Sequence, residues 1–169
     1  VGSFKAGAKH NIIPDDATLL ITVRSYDDKT RQMLLDGIKR IAKGEAEAFG
    51  APEPEVTVES DYTPATYNDP DTTARTMKAV GKAIGATNVK EVKPVMGGED
   101  FSQYGRTAEK IPSVIFWLGA VDPAKYADSK NGGASLPSLH SSGFAPDYDP
   151  TIATGVEAMS AAAIELFKD

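Results

Sequence analysis

The residue with the clearest chemical potential is a histidine near the C-terminal end of the sequence. His140 lies in the stretch 138–144, after a loop rich in Gly, Ser and Pro and before a well-marked helical pattern. An imidazole at such a place can bind a metal ion or transfer a proton. The same side chain can also be structural or simply exposed. Its role therefore depends on the other polar residues of the chain.

Asn11 and Arg24 form a second candidate site. They lie on or beside two neighbouring predicted strands, thirteen residues apart. A guanidinium fork and an amide can together hold a carboxylate. The alternative is an exposed strand arginine and a turn asparagine without a common role. His10, the other histidine, lies in the same polar turn, and we expect it to be exposed and without a role.

The third candidate is a turn that begins with Gly97 and Gly98 and continues with an acidic pair. Two glycines let a backbone come close to a ligand, and their N–H groups can meet an anion or a carbonyl. Glu99 and Asp100 can cap the helical turn that follows, which is the commoner role, or contribute to a metal site. A metal site of Glu99, Asp100 and His140 is compatible with the sequence, but nothing in the spacing requires it.

The elements that must position these residues follow from hydrophobic periodicity, caps and turns. In the first part of the chain we predict a strand that ends near residue 13, a strand over 18–26, a helix capped by Asp27–Asp28 and ended by Gly50, and a strand over 55–60. After them we predict a helix that begins at Asp69–Pro70 and ends at Gly85, a short strand over 89–95, and a strand over 112–119 that is buried on both faces. A loop over 121–144 and a helix that begins at Asp149–Pro150 complete the prediction. The last helix carries an apolar face of Ile152, Val156, Met159, Ala163 and Phe167.

Composition and charge limit the partners and the cellular compartment that we expect for this chain. The net charge is −6 and Lys and Arg are not clustered, so we expect no nucleic-acid partner. No apolar run approaches the ~20 residues of a membrane span. The chain has no cysteine, which removes disulfides and thiolate zinc sites and favours a reducing compartment, so we predict a cytoplasmic protein. Because Val1 is not an initiator methionine, we expect that it is not the start of the gene product.

Several motifs, taken in order, resemble one enzyme family. They are Asn11-Ile12-Ile13-Pro14-Asp15, Thr22-Val23-Arg24-Ser25, Pro94-Val95-Met96-Gly97-Gly98-Glu99-Asp100-Phe101-Ser102, Leu118-Gly119 and Leu139-His140-Ser141-Ser142. The set is similar to the dinuclear metallohydrolases of the aminoacylase and glutamate carboxypeptidase family. Within that family, the motifs most resemble those of the amidohydrolases of hippurate hydrolase and N-acyl-amino-acid hydrolase type.

The resemblance implies an α/β fold in two parts. Residues 1–63 would be part of an inserted α+β lid, or dimerisation, domain. Residues 64–169 would be the C-terminal part of a three-layer α/β catalytic domain of zinc-peptidase type. The turn-rich stretch 62–70 agrees with this division. The strands and the helix predicted before it suggest a two-layer α+β sandwich with too few strands to be complete, which also agrees.

The resemblance also implies roles for the candidate residues. His140 would ligate one of two divalent ions, zinc or manganese, in the intact enzyme. Asn11 and Arg24 would hold the substrate carboxylate, and Gly97, Gly98 and Glu99 would line the substrate cleft. The substrate would be an N-acyl amino acid or a peptide, and two copies of the chain would pair through the lid.

The family's N-terminal motifs are absent from this sequence. They supply the general base and most metal ligands, so we expect the chain alone to bind metal weakly and to be inactive without an N-terminal half. No residue of the chain itself is assigned as a catalytic group. Two alternatives stay open, namely a dipeptidase or carboxypeptidase of the same family, and a non-catalytic lid or oligomerisation fragment.

Overall fold

The computed structural model describes residues 1–168, which form two compact units. The first consists of Val1–Thr66 and Pro94–Gln103, and the second of Tyr67–Lys93 and the chain from Tyr104 onward. Residues 94–103, which the predicted division groups with the later part of the chain, therefore lie in the first unit. The assignment of these parts to a lid and a catalytic domain stays a prediction.

The first unit contains a two-stranded antiparallel sheet and one long helix. Strand β1, Ser3–Ala6, pairs with β2, Ala17–Leu20, and Phe4 lies opposite Leu19. Helix α1 spans Asp28–Ala48. The Asp27 side chain accepts a hydrogen bond from the Thr30 backbone N–H at 2.7 Å, which lowers the pKa of that carboxyl and confirms the predicted cap.

Three further α-helices lie in the second unit. They are α2 at Pro70–Ile84, α3 at Pro123–Lys130 and α4 at Tyr148–Leu166. A 3₁₀ helix covers Ala86–Asn88, and another covers Asp100–Arg106, where the chain passes from the first unit into the second for the second time. None of the helices described within residues 1–168 is both long and apolar enough to cross a membrane.

Helix α2 begins and ends where its sequence predicts. The Asp69 side chain accepts a hydrogen bond from the Thr72 backbone N–H at 2.8 Å, and Pro70 occupies the first helical turn. Hydrogen bonds from the Thr72 side chain and backbone hold the pKa of Asp69 below its ordinary value of 3.8. Gly85 ends the helix with a φ of +93°, a conformation that glycine adopts without strain.

The hydrophobic core of the described chain lies where α2 packs against α4. Val80, Ala158 and Ala162 are buried there, and the partly buried Met77, Ile84, Val89 and Phe116 pack around them. A Cβ atom at Gly155 would lie only 2.9 Å from Leu118 Cδ2, so the absence of a side chain lets the segment 112–119 approach α4 closely. Small residues thus set the distance between the packed elements.

An arginine links the same two helices at the end of α4. Arg75 Nη2 donates to the backbone carbonyls of Glu165 and Lys168, the latter at 2.5 Å, while its Nε lies 3.4 Å from a Glu165 carboxylate oxygen. Carbonyls at a helix C-terminus lack intrahelical partners, and this guanidinium donates to one in the last turn of α4 and to one just beyond it. A hydrogen bond from Lys168, reinforced by Arg75, lowers the pKa of Glu165.

Three strand predictions were wrong. Residues 55–60, 89–95 and 112–119 are not strands, and the described residues contain one sheet of two strands. A strand exists through hydrogen bonds to a neighbouring strand, and these segments find none within residues 1–168. The run 112–119 is also not buried on both faces, since Trp117 is 62% exposed. The mixed helix and sheet content fits part of an α/β domain, while the three-layer arrangement stays a prediction.

Two helix predictions also need correction. The predicted loop contains α3, whose N-cap Asp122 accepts from the Lys125 backbone N–H at 3.0 Å. Helix α4 begins after Asp147, whose side chain makes no capping hydrogen bond, and the predicted cap Asp149 lies in its first turn. The predicted apolar face of α4 is exposed, as Phe167 shows at 86%, because the smaller residues on the adjacent face pack against α2.

Thr76 supplies a test of the α2–α4 core. The side chain is 0% exposed, and its hydroxyl has no hydrogen-bond partner among the described residues. A buried hydroxyl without a partner costs about 1–3 kcal/mol. We therefore expect the nearly isosteric Thr76→Val to raise the free energy of unfolding by about 1 kcal/mol, measured by urea denaturation.

Thr30→Val is the matched control, because the Thr30 hydroxyl donates to Asp27 at 2.7 Å. That variant should lose stability. A Thr76→Val protein that unfolds as easily as Thr30→Val would show that the Thr76 hydroxyl is satisfied in solution.

Candidate functional site

Arg24 lies against the glycine turn, in the first unit. Its Nη1 atom donates a 2.6 Å hydrogen bond to the carbonyl of Met96, across 72 residues of sequence. A Cβ atom at Gly98 would lie 3.7 Å from the same nitrogen. The structure thus brings together two of the predicted substrate-binding groups, the guanidinium and the Gly97–Gly98 backbone. Arginine has five N–H donors, so a guanidinium held by one of them can still grip a carboxylate.

Glu99 acts as a cap in this structure. Its Oε1 atom accepts from the Phe101 backbone N–H at 3.1 Å, at the start of the 3₁₀ helix. Its carbonyl accepts from the Thr66 hydroxyl at 3.2 Å and from the Ser102 N–H at 3.3 Å. These contacts are those of the capping alternative. The carboxylate fixes the shape of the turn that Arg24 contacts, whereas direct contact of Glu99 with a substrate stays a prediction.

Asn11 lies on another turn of the first unit. It belongs to the exposed turn between β1 and β2, where the Ile12 N–H donates to the Lys9 carbonyl at 3.3 Å. Asn11 and Arg24 share no hydrogen bond in the structure of residues 1–168. His10 lies in the same turn and is exposed, as expected.

His140 lies in the second unit, on an exposed turn with an unusual backbone. The Ser141 N–H donates to the Ser138 carbonyl at 3.2 Å, which makes His140 the third residue of a four-residue turn. Its φ is +64°, and only Lys110 shares a positive φ among the non-glycine residues that the structure describes. Glycine is the usual residue at such a position. Residues held in this way cluster at functional sites.

The described residues do not form a complete metal site. Within residues 1–168, no group of three or more His, Asp or Glu side chains is arranged to hold a metal ion. A metal ion bound by protein normally has at least three protein ligands. His140 can therefore supply one ligand of such a site.

The loop that carries His140 is closed at its base. The Asp147 N–H donates to the Ala120 carbonyl at 2.9 Å, so the two ends of the loop 121–146 lie next to each other. Asn68 holds the chain just before the loop, since its side-chain amide donates to the Ile115 carbonyl at 2.8 Å and accepts from the Ile115 N–H at 2.9 Å. This pair is not predicted from the sequence, because partners 47 residues apart leave no local pattern.

Comparison with known proteins decides the family. The profile of Peptidase family M20/M25/M40 matches residues 4–142, most of the chain. The chain belongs to this family. One relative is thermostable carboxypeptidase 2 of Saccharolobus solfataricus, which is 35% identical to this chain over 88% of this chain and 34% of its own length. The family resemblance seen in the sequence is thereby confirmed.

Two other relatives carry different names. N-acetyldiaminopimelate deacetylase of Enterococcus faecalis is 32% identical over 94% of this chain and 37% of its own length. Putative amidohydrolase YhaA of Bacillus subtilis is 35% identical over 70% of this chain and 29% of its own length. The chain thus spans about a third of the length of the curated M20/M25/M40 relatives that it matches. No solved structure gives a significant match.

The backbone of His140 gives a testable consequence. A non-glycine residue in the left-handed region costs roughly 1–2 kcal/mol. We expect His140→Gly to raise the free energy of unfolding by about 1 kcal/mol, measured by chemical denaturation. Leu139→Gly, one position earlier and outside the positive-φ region, should instead cost about 0.5–1 kcal/mol. Equal destabilisation by both substitutions would contradict a strained turn.

Proposed function

We propose that this chain belongs to a metal-dependent hydrolase that cleaves the amide bond of N-acyl amino acids of hippurate type. The observation that carries the proposal is the contact of Arg24 with the glycine turn, at 2.6 Å from the Met96 carbonyl. An N-acyl amino acid has a free carboxylate beside its amide bond. A guanidinium that is held at one nitrogen and exposed at others suits that carboxylate.

Substrate recognition would be divided between several backbone and side-chain groups. Arg24 would bind the carboxylate, and Asn11 would add an amide if its turn moves towards the substrate. The N–H groups of Gly97 and Gly98 would meet the substrate backbone, where the lack of side chains permits close approach. Glu99 would hold this turn through its hydrogen bond to Phe101.

His140 would contribute an imidazole to one of two divalent ions, zinc or manganese. Such ions activate a water molecule for attack on the amide carbonyl. Because the described residues form no complete metal site, the remaining ligands and the general base would come from polypeptide outside this chain. The chain alone therefore accounts for substrate positioning and not for the hydrolytic step, and we expect it to be inactive in isolation.

We also assign the first unit to a lid domain and the second to the catalytic domain. The first unit contains none of the buried hydrophobic side chains of the described chain, and Phe4, Leu19 and Leu20 of its sheet are all exposed. An apolar sheet of two strands is not stable alone in water. Completion of the lid, and pairing of two lids in a homodimer, would cover this surface.

A carboxypeptidase or dipeptidase is the second candidate. The name of the Saccharolobus solfataricus relative favours it, whereas the name of the Enterococcus faecalis relative favours deacylation. Both substrate classes place a carboxylate near the scissile amide, so Arg24 suits either. A panel of N-acyl amino acids and dipeptides separates them, because each reading predicts higher kcat/KM for its own class.

Arg24→Ala tests carboxylate binding in the whole enzyme. A hydrogen bond to a charged group contributes about 2–3 kcal/mol, so we expect the KM for hippurate to rise about 100-fold. Steady-state kinetics measure this. The amide of hippurate lacks the carboxylate, so its KM should change little on the same substitution.

Arg40→Ala, an exposed arginine on α1, is the matched control and should leave both substrates unchanged. Carboxylate recognition by Arg24 is refuted if its removal leaves hippurate hydrolysis intact, or if it slows hydrolysis of the amide equally.

A further inference from the structure

One asparagine of the chain differs from the others in the residue that follows it. The four asparagine pairs are Asn11-Ile12, Asn68-Asp69, Asn88-Val89 and Asn131-Gly132. A following glycine has no Cβ atom to block the approach of its backbone nitrogen to the asparagine side chain. Sequence alone therefore singles out Asn131 as chemically exposed to attack by its neighbour.

The structure leaves this neighbour free to react. Asn131 is the exposed C-cap of α3, and its own N–H donates to the carbonyls of Ala127 and Asp128 at 3.2 and 3.0 Å. Gly133 N–H donates to the Asp128 carbonyl at 2.9 Å, which closes the cap. Between them, the N–H of Gly132 hydrogen-bonds to no group that the structure describes, and its φ of +91° is a conformation that glycine adopts without strain.

We propose that Asn131 is a site of spontaneous deamidation in the folded protein. The Gly132 nitrogen attacks the side-chain carbonyl carbon of Asn131, and a new C–N bond closes a succinimide ring. The bond to the side-chain nitrogen breaks, and that nitrogen leaves as ammonia with the proton of the Gly132 amide. Water then opens the ring at either carbonyl, which gives aspartate or isoaspartate.

The modification places a negative charge at an unfavourable position. The C-terminus of a helix carries partial negative charge, so a new carboxylate at its cap is destabilising. The Asp128 carboxylate already lies over this turn, because a Cβ atom at Gly133 would collide with its Oδ2 atom. Isoaspartate also lengthens the backbone by one carbon. Both products should loosen the end of α3, within the loop that carries His140.

Timed incubation of the whole protein at mildly alkaline pH tests the proposal. Peptide mass spectrometry and isoaspartate methylation measure conversion at each asparagine, in the native protein and in urea. We expect native conversion to concentrate at Asn131, at a rate close to that in urea. Asn68 is the internal contrast, because its side chain is held by both backbone groups of Ile115 and should convert only when unfolded.

Asn131→Gln is the control variant, since its longer side chain cannot close the five-membered ring with the same ease. It should abolish the mass change and the isoaspartate signal. Conversion of Asn131 in urea without conversion in the native protein would overturn the proposal, as would native conversion that is equal at all four asparagines.

Discussion

The packing of α2 against α4 through small side chains is the contact on which the second unit depends. Val80, Ala158 and Ala162 form its buried centre, and Gly155 leaves room for the Leu118 side chain. The residues before each helix then anchor the chain that leads to His140. Asn68 and Asp69 bind the backbone of residues 113–115, and Asp147 binds Ala120. The position of the His140 loop is thus a consequence of helix packing.

The two candidate site residues Arg24 and His140 differ in the backbone conformation that places them. Arg24 is placed by an ordinary hydrogen bond to a glycine-rich turn, which needs no strain. His140 occupies a position where glycine would be more stable. A histidine retained there at a cost in stability is explained if its imidazole has a role that glycine cannot fill. The positive φ is shared by Lys110, so the metal-ligand role of His140 rests on the family resemblance and stays a prediction.

Local signals predicted the helices well and the strands poorly. Asp27 and Asp69 cap the N-termini of α1 and α2, and Gly85 ends α2, as their residue types predict. The same reasoning should have found α3, because Asp122–Pro123 repeats the pair that opens α2. Strands need a partner elsewhere, so alternation at 55–60 did not suffice. The choice of which face of α4 is buried likewise depended on the partner helix and not on hydrophobicity alone.

The candidate site could be read from sequence only in part. Resemblance connected Arg24 with the glycine turn, but the Met96 carbonyl that joins them is a backbone atom 72 residues away and leaves no trace in residue types. The left-handed backbone of His140 was equally hidden, because a histidine gives no conformational signal of the kind that glycine gives.

The most direct test of the account is the metal content of the whole protein with His140→Asn, measured by plasma mass spectrometry after exhaustive dialysis. Asparagine tolerates a positive φ better than most residues, so this variant removes the imidazole while it keeps the turn. His10→Asn is the control, because the other histidine has no assigned role. The account predicts that His140→Asn loses at least one of two bound ions while His10→Asn keeps both. Full metal content in His140→Asn would contradict it.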